Sequence, residues 1–204
     1  MSATHTAVVF DLGGVLIDWN PRHLYRKLFA GDEAAMEEFL TTVCTPAWNV
    51  MQDAGRSFAE GAALLKARHP EKAALIDAYG ARFGEMMAGE IVGTVAILDE
   101  LRGRGVALYA LSNWSRETFP LAKDRFAFLR WFRGMVISGE VGHVKPDAAI
   151  YRHLLERFAI DPARAVFIDD VAGNAEAARG FGIHPIRFTS PAALRRELEG
   201  LRLL

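Results

Sequence analysis

The sequence contains a single cysteine, Cys44, among its 204 residues, so an intrachain disulfide is excluded. It also lacks an excess of either charge, with 24 Lys and Arg against 25 Asp and Glu, which gives no support for a nucleic-acid or membrane-surface partner. No apolar run approaches the length of a membrane span, and the polar residues 1–6 do not resemble a signal peptide. We therefore expect a cytoplasmic protein with no nucleic-acid or membrane partner, whose oligomeric state is left open.

Apolar residues make up 51% of the chain, which is enough for a sizeable core. Short, apolar, β-branched runs predict strands at residues 7–10, 106–111, 135–137, 165–168 and 185–188. Helical spacing of apolar residues predicts helices at 94–104, 147–158, 172–179 and 191–201. Strands that alternate with helices predict an α/β fold, with a doubly wound, Rossmann-like parallel sheet covered on both faces.

Residues 16–91 interrupt this alternation. The segment has helical patterns at 21–30, 33–40, 57–68 and 71–84, between the first strand and the next predicted helix. A separate insertion is the simplest interpretation of such a break. We predict a core formed by residues 1–15 and 92–204, and an all-helical cap formed by residues 16–91.

Polar residues stand where the predicted strands end. Asp11 follows the first strand, Ser112-Asn113 ends the second, Lys145 lies beyond the third, and Asp169-Asp170 ends the fourth. Each is ordinary alone, since Asp and Ser often form turns or cap helices and lysines are usually exposed. Ligands bind at the carboxyl ends of the strands in open α/β sheets. The convergence of these polar residues therefore predicts a functional site at the carboxyl edge of the sheet.

The chemistry of these side chains is consistent with phosphate-ester hydrolysis. A carboxylate such as Asp11 can attack an electrophile and form a covalent intermediate, but a phosphate ester repels it unless positive charge is nearby. Adjacent carboxylates such as Asp169 and Asp170 also repel each other without a cation. Mg²⁺ prefers oxygen ligands, and Lys145 would add a fixed positive charge. We therefore expect a magnesium site and a small-molecule phosphate ester as substrate.

Four segments carry a family resemblance: FDLGGV at 10–15, LSN at 111–113, HVKPD at 143–147 and FIDDVAGN at 167–174. In order and spacing they resemble the four motifs of the haloacid dehalogenase-like hydrolases, over nearly the whole chain. The nearest resemblance is to small sugar-phosphate phosphatases and to the phosphatase domain of soluble epoxide hydrolases. The helical insertion matches the position of the family's α-helical cap.

The resemblance implies a role for each matching residue. Asp11 is the nucleophile and a metal ligand, and Asp170 is a second metal ligand. The main-chain carbonyl of Gly13 is a third ligand in the family. Ser112 binds the phosphate, and Lys145 stabilises the charge of the nucleophile and the phosphoryl group. By the same resemblance the cofactor is Mg²⁺.

Further residues are expected around this centre. Asp169 and Asn174 are expected to surround the metal without binding it directly. Asn113 and His143 are candidates for substrate contact because they lie beside Ser112 and Lys145. Trp19, like the Trp48-Asn49 pair, is a specificity candidate near the expected cap entrance, although aromatic residues more often pack in cores.

One position departs from the family pattern. Phosphatases of the family usually carry a second Asp two residues after the nucleophile, which protonates the leaving group; here that position is Gly13. Such a general acid contributes about 10²–10⁴-fold in rate. We expect good leaving groups to be favoured. Asp18 is a candidate substitute acid, although a turn or cap ahead of Pro21 is its more ordinary role.

The missing acid leaves two other functions open. A metal-independent 2-haloacid dehalogenase attacks carbon through an aspartyl ester and needs neither a leaving-group proton nor Mg²⁺. However, the Asp169-Asp170 pair indicates a cation site and disfavours this chemistry. A non-catalytic binding or regulatory protein is favoured only by Gly13, and the intact Asp11, Lys145 and Asp170 disfavour it.

Overall fold

The computed structural model describes residues 5–204, so residues 1–4 of the polar N-terminal segment lie outside the described part. Seven strands occur there: β1 (Ala7–Phe10), β2 (Ile17–Trp19), β3 (Met87–Glu90), β4 (Ala107–Ser112), β5 (Gly134–Ile137), β6 (Ala165–Asp169) and β7 (His184–Arg187). Five of them form one parallel sheet in the order β5-β4-β1-β6-β7. Every strand predicted from the sequence is present in this sheet.

The same residues form eleven α-helices: α1 (Arg22–Leu28), α2 (Glu33–Thr42), α3 (Pro46–Asp53), α4 (Phe58–Arg68), α5 (Ala73–Ala81), α6 (Val92–Gly103), α7 (Phe119–Arg125), α8 (Ser138–Val141), α9 (Ala148–Phe158), α10 (Ala172–Arg179) and α11 (Pro191–Gly200). None of the helices in residues 5–204 has both the length and the apolar composition needed to cross a bilayer.

The sheet is covered on both faces because alternate side chains of each strand point in opposite directions. In β1, Val8 and Phe10 belong to one apolar cluster, which includes Leu98 of α6. Val9 belongs to a second cluster, which includes Leu154 of α9. All four residues of β1 are buried. The predicted doubly wound α/β fold is therefore confirmed.

Helices α1–α5 lie in the segment predicted as the cap. Their aromatic side chains pack together, with ring centroids 5.0 Å apart for Tyr25 and Phe39 and 6.1 Å apart for Tyr25 and Tyr79. Helix α3 was not predicted; Thr45 caps its N-terminus, and the Thr45 side chain accepts a hydrogen bond from the Trp48 N–H. The segment also contains β2 and β3, an antiparallel pair that the sequence analysis did not predict because neither strand is a continuous apolar run. The division into core and cap domains stays a prediction.

Candidate active site

The central position of β1 brings the predicted residues together. Strand β1 pairs with β4 on one side and β6 on the other, so Asp11, Ser112 and Asp169 leave neighbouring strands at one edge. The Ser112 hydroxyl donates to Asp11 Oδ1 over 2.8 Å, and the Leu12 N–H donates to the same oxygen over 2.7 Å. These two bonds orient the Asp11 carboxylate and leave Oδ2 for another partner.

That partner is Lys145, whose side chain is fully buried. Its Nζ lies 2.9 Å from Asp11 Oδ2 and 2.7 Å from Asp169 Oδ2. Burial alone would lower the pKa of Lys145, but the two carboxylates outweigh this effect and raise it. Lys145 is therefore a permanent cation between Asp11 and Asp169.

The loop that carries Lys145 is held by Asn113. The side-chain oxygen of Asn113 accepts from the Lys145 N–H over 2.8 Å, and its amide group donates to the Lys145 carbonyl over 3.0 Å. Both polar atoms of this predicted substrate-binding residue are thus used inside the protein. Asn113 lines the cavity described below, but its hydrogen bonds position Lys145.

Asp169 is fully buried and has several donors. Besides Lys145, it accepts from the Val171 N–H over 2.9 Å and from the Asn174 amide over 3.1 and 3.2 Å. Burial, followed by the nearby Asp11 charge, raises the pKa of Asp169 to about 6. These contacts indicate that Asp169 orients Lys145 and Asn174. The place of Asp169 and Asn174 around a metal ion stays a prediction.

Three carboxylates meet at this edge. Oxygen atoms of Asp11, Asp169 and Asp170 all lie within 4.8 Å of one another. Burial and the charge of Asp11 raise the pKa of Asp170. Lys145 is the one cation that contacts this group within residues 5–204, so negative charge is in excess. An oxygen-rich site with unbalanced negative charge fits a divalent cation such as Mg²⁺.

The absence of a side chain at Gly14 lets the Asp170 carboxylate approach. Gly14 has φ = +74°, and a Cβ there would lie 2.6 Å from Asp170 Oδ2. Only glycine adopts this conformation freely, and only its lack of a side chain leaves room for the carboxylate. Gly13 lines the cavity beside Asp11. Metal binding by its carbonyl stays a prediction.

A cavity of about 440 Å³ opens above these carboxylates. The predicted residues Asp11, Gly13, Trp19, Ser112, Asn113, Asp170 and Asn174 all line it, with further walls from the α1–α5 segment. The Trp19 Nε1 atom is buried and has no hydrogen-bond partner among residues 5–204. Trp19 thus offers an unused donor beside the cavity. Trp48 instead lies in the core and donates to the Gly61 carbonyl over 3.1 Å.

Two sequence candidates lie elsewhere. His143 is half exposed, 3.9 Å from Asp147, and does not occur among the described residues that line the cavity. Asp18 lies in β2 with a half-exposed side chain that pairs with His23 over 3.0 Å, also outside the cavity lining in residues 5–204. Neither position supports substrate contact or proton transfer in the cavity.

Asp53 is a cavity residue that the sequence analysis missed. It is only 7% exposed and ends α3, a helix that buries the polar residues Asn49, Gln52 and Asp53 and exposes the apolar Val50 and Met51. Its carboxylate accepts from the Asn49 amide over 3.0 Å and from the Ser115 N–H. Burial raises the pKa of Asp53 to about 7; the Ser115 bond opposes this rise, and Asp11 adds to it. No sequence pattern marked this residue.

The raised pKa of Asp53 predicts a pH-dependent cost in stability. The pKa of Asp53 is near 7 in the folded protein and has its ordinary value of 3.8 in the unfolded chain. Between these pH values the folded protein therefore binds a proton on Asp53 that the unfolded chain does not. The associated stability is complete below about pH 4 and is lost as the pH rises through 7. An Asp53→Asn variant should not show this loss. Its free energy of unfolding should gain on the order of 3 kcal/mol over the wild type from pH 4 to 8.

Urea denaturation at pH 5 and pH 8 measures this difference. Asp77→Asn is the matched control, because Asp77 is half exposed and pairs with Lys66 on the surface. That variant should follow the wild-type pH dependence. Parallel pH profiles for Asp53→Asn and the wild type would show that Asp53 is ionised at no cost in the folded protein.

Comparisons with known proteins identify the family of the chain. The model of haloacid dehalogenase-like hydrolases matches residues 5–182. The sesquiterpene phosphatase AstK of Aspergillus oryzae is 26% identical over 218 residues, covering 98% of both chains. A phosphorylated carbohydrates phosphatase of Thermotoga maritima is 26% identical over 183 residues, covering 88% of this chain and 83% of that protein.

A solved structure supports the fold. A HAD family enzyme from Bacteroides thetaiotaomicron, in complex with magnesium and inorganic phosphate, superposes with a TM-score of 0.69 at 23% identity. The match covers 91% of this chain and 95% of that enzyme. The family resemblance predicted from the four sequence motifs is confirmed by the family model.

Proposed function

Because the chain belongs to the haloacid dehalogenase-like hydrolases, we propose that it is a magnesium-dependent phosphatase. It hydrolyses a small phosphate monoester through an aspartyl-phosphate on Asp11. The observation that carries the proposal is the cluster of three carboxylates within 4.8 Å, with Lys145 as its contacting cation in residues 5–204. The phosphatase names of the two curated relatives support the same reaction.

Asp11 and Asp170 would hold the Mg²⁺ ion, together with the predicted main-chain carbonyl of Gly13. Bound there, the ion supplies positive charge that neutralises the phosphoryl oxygens. Asp169 is less suited to direct binding because Lys145, Asn174 and the Val171 N–H already use its oxygens. The Bacteroides enzyme binds magnesium and phosphate on the same fold, which supports this assignment.

Several residues around Asp11 have separate roles in phosphoryl transfer. The Ser112 hydroxyl and the Leu12 N–H hold the Asp11 carboxylate in one orientation, so attack on phosphorus starts from a fixed position. An Asp11 oxygen forms the new bond to phosphorus as the ester oxygen departs. Lys145 neutralises charge on the nucleophile and on the phosphoryl group. Hydrolysis of the aspartyl-phosphate by water regenerates Asp11.

The cavity walls favour a leaving group with an apolar surface. Away from the carboxylates at the sheet edge, nine wall residues are apolar or aromatic and five are polar or charged, namely Asn20, Arg22, Thr41, Asn49 and Asp53. An ester with an apolar part would bury more of its surface against these walls than a fully hydroxylated sugar would. This favours an apolar phosphate ester over the sugar phosphate suggested by the sequence, and the sesquiterpene phosphatase relative is consistent with it. The apolar and aromatic wall residues are Trp19, Pro21, Leu40, Cys44, Pro46, Val50, Tyr79, Phe83 and Trp114.

The carboxylate cluster also disfavours the dehalogenase alternative. A 2-haloacid carries its own carboxylate, which Asp11, Asp169 and Asp170 would repel. A non-catalytic protein would have no need to hold Lys145 between Asp11 and Asp169 in a buried position, where unpaired charges are costly. Both alternatives remain outcomes of the following experiment.

The proposal predicts phosphate release that depends on Mg²⁺. With p-nitrophenyl phosphate, we expect turnover with Mg²⁺ and almost none with EDTA, because Lys145 alone cannot balance three carboxylates and a phosphate. An apolar ester such as a prenyl phosphate should have a higher kcat/KM than a hexose phosphate. Chloride release from a 2-haloacid in EDTA would instead establish a dehalogenase. No turnover in either assay would favour a binding protein.

A further inference from the structure

The cavity holds a carboxylate that the phosphatase reaction described above does not use. Among the residues that line it in the described part of the chain, three are acidic: Asp11, Asp170 and Asp53. Asp11 and Asp170 belong to the carboxylate cluster at the sheet edge. Asp53, at the end of α3, lines the same cavity from a different segment of the chain. A cavity ligand therefore has two separate acidic groups beside it, the cluster that contains Asp11 and the Asp53 carboxyl group.

Asp53 is held in place through both its main chain and its side chain. Its main-chain carbonyl accepts a hydrogen bond from the Ser138 hydroxyl over 2.6 Å, which ties the end of α3 to the start of α8. The Ser115 N–H, three residues after Ser112, donates to the Asp53 carboxylate. The Asn49 amide donates to the same carboxylate over 3.0 Å. The carboxyl group is therefore anchored to the loop that carries the predicted phosphate-binding residue.

Asn49 itself indicates a ligand beside Asp53. Its side chain is more than nine-tenths buried and lines the cavity. Its Oδ1 atom has no hydrogen-bond partner among residues 5–204. A buried acceptor without a donor costs free energy, and a hydroxyl group or water bound in the cavity would satisfy it. The wall formed by Asn49 and Asp53 thus presents an open acceptor next to a carboxyl group.

We propose that Asp53 is the catalytic proton donor and acceptor that replaces the acid missing at Gly13. This inference rests on the proposed phosphatase function. Asp11 attacks phosphorus, the bond from phosphorus to the ester oxygen breaks, and that oxygen takes the proton of the Asp53 carboxyl group to leave as an alcohol. Asp53 then takes a proton from water while the water oxygen attacks phosphorus. The Asp11–phosphorus bond breaks, and inorganic phosphate is released.

The surroundings of Asp53 suit this role. The titratable groups that act on it are Asp11 and Lys145 from the core, and it acts in turn on Tyr79 of α5. Burial and Asp11 place the pKa of Asp53 at about 7, so both protonation states are populated near neutral pH. A general acid is most effective when its pKa lies near the working pH. Asp18, which is half exposed and paired with His23, lacks this placement.

Rapid mixing with two esters tests the proposal. For Asp53→Asn with Mg²⁺, p-nitrophenyl phosphate should give a burst of one p-nitrophenolate per enzyme, at a rate within about tenfold of the wild type. This leaving group departs without a proton. Steady-state turnover should fall about 10²–10⁴-fold, because the aspartyl-phosphate then lacks its base. An alkyl phosphate should give no burst, because its leaving oxygen needs the proton.

Two further variants complete the experiment. Asp18→Asn is the matched control and should behave as the wild type with both esters. Asn49→Leu keeps Asp53 but removes its amide donor, so the alkaline limb of kcat/KM for the alkyl phosphate should move to higher pH. This second variant tests the proposal even if Asp53→Asn folds poorly.

Two results with Asp53→Asn would overturn the role of Asp53. The first is an equal fall in the burst with both esters, and the second is an unchanged burst with both. An unmoved alkaline limb in a folded Asn49→Leu variant would overturn it as well. If the wild type hydrolyses neither ester with Mg²⁺, the proposed phosphatase function itself fails, and the role of Asp53 fails with it.

Discussion

Asp11→Asn should lower phosphatase turnover by about 10⁴-fold or more, the scale seen when a covalent nucleophile is removed. An amide oxygen at this position still accepts from the Ser112 hydroxyl and the Leu12 N–H, which both contact Oδ1. The amide nitrogen, however, would replace Oδ2 and face the Lys145 ammonium group. The variant therefore keeps its orientation, loses its nucleophile, and leaves Lys145 paired with Asp169 alone.

Steady-state assays with p-nitrophenyl phosphate measure this loss, and thermal denaturation checks that the variant is folded. Asp18→Asn is again the control, since it makes the same substitution seven residues away at a half-exposed carboxylate. It should retain wild-type turnover. Substantial Mg²⁺-dependent hydrolysis by folded Asp11→Asn protein would show that the reaction proceeds without an aspartyl intermediate.

Lys145→Met should give the largest loss of stability. Lys145 is buried and contacts both Asp11 and Asp169, so its removal leaves carboxylates together without their cation. Breaking a buried ion pair by removing one partner costs about 3–5 kcal/mol. The uncompensated carboxylates would take up protons more readily in the folded state, so the variant should regain stability as the pH falls from 8 to 5. Added Mg²⁺ should also stabilise it.

Urea denaturation with and without Mg²⁺ measures these effects. The control is Lys66→Met, because Lys66 pairs with Asp77 over 2.7 Å at partly exposed positions. A surface pair of this kind contributes about 0–1 kcal/mol. The double variant Lys145→Met/Asp169→Asn removes one of the stranded charges and should recover part of the loss. A Lys145→Met protein as stable as Lys66→Met at pH 8 would contradict this account of the charge cluster.

The strands and the carboxylate cluster could be predicted because their signals are local. A buried strand such as β1 is a continuous apolar run that ends at a turn, and the topology of parallel sheets places such ends together. Asp11, Ser112, Lys145 and Asp170 could therefore be grouped before any coordinates were known. The strands β2 and β3 could not, because each buries only its first residue fully and neither contains a continuous apolar run.

The placement of individual side chains could be determined only from the three-dimensional structure. Asn113 and His143 lie next to predicted site residues in the sequence, yet Asn113 uses both polar atoms to hold Lys145 and His143 is half exposed. Neighbouring residues of a loop point in different directions, and only packing decides which of them faces a cavity. Asp18 is a further case, since its pairing with His23 takes it away from the cavity.

The amino-acid sequence by itself determined the family, the parallel sheet and the residue at the centre of its carboxyl edge, because order, spacing and apolar periodicity are properties of the chain. The tertiary structure alone decided which further carboxyl group shares the cavity with Asp11. Asp53 lies 42 residues away on a helix whose buried face is mostly polar, and its burial, its bond to Ser115 and its raised pKa arise only when α3 packs against the core. Electrostatic environment depends on distance in space, which sequence separation does not give.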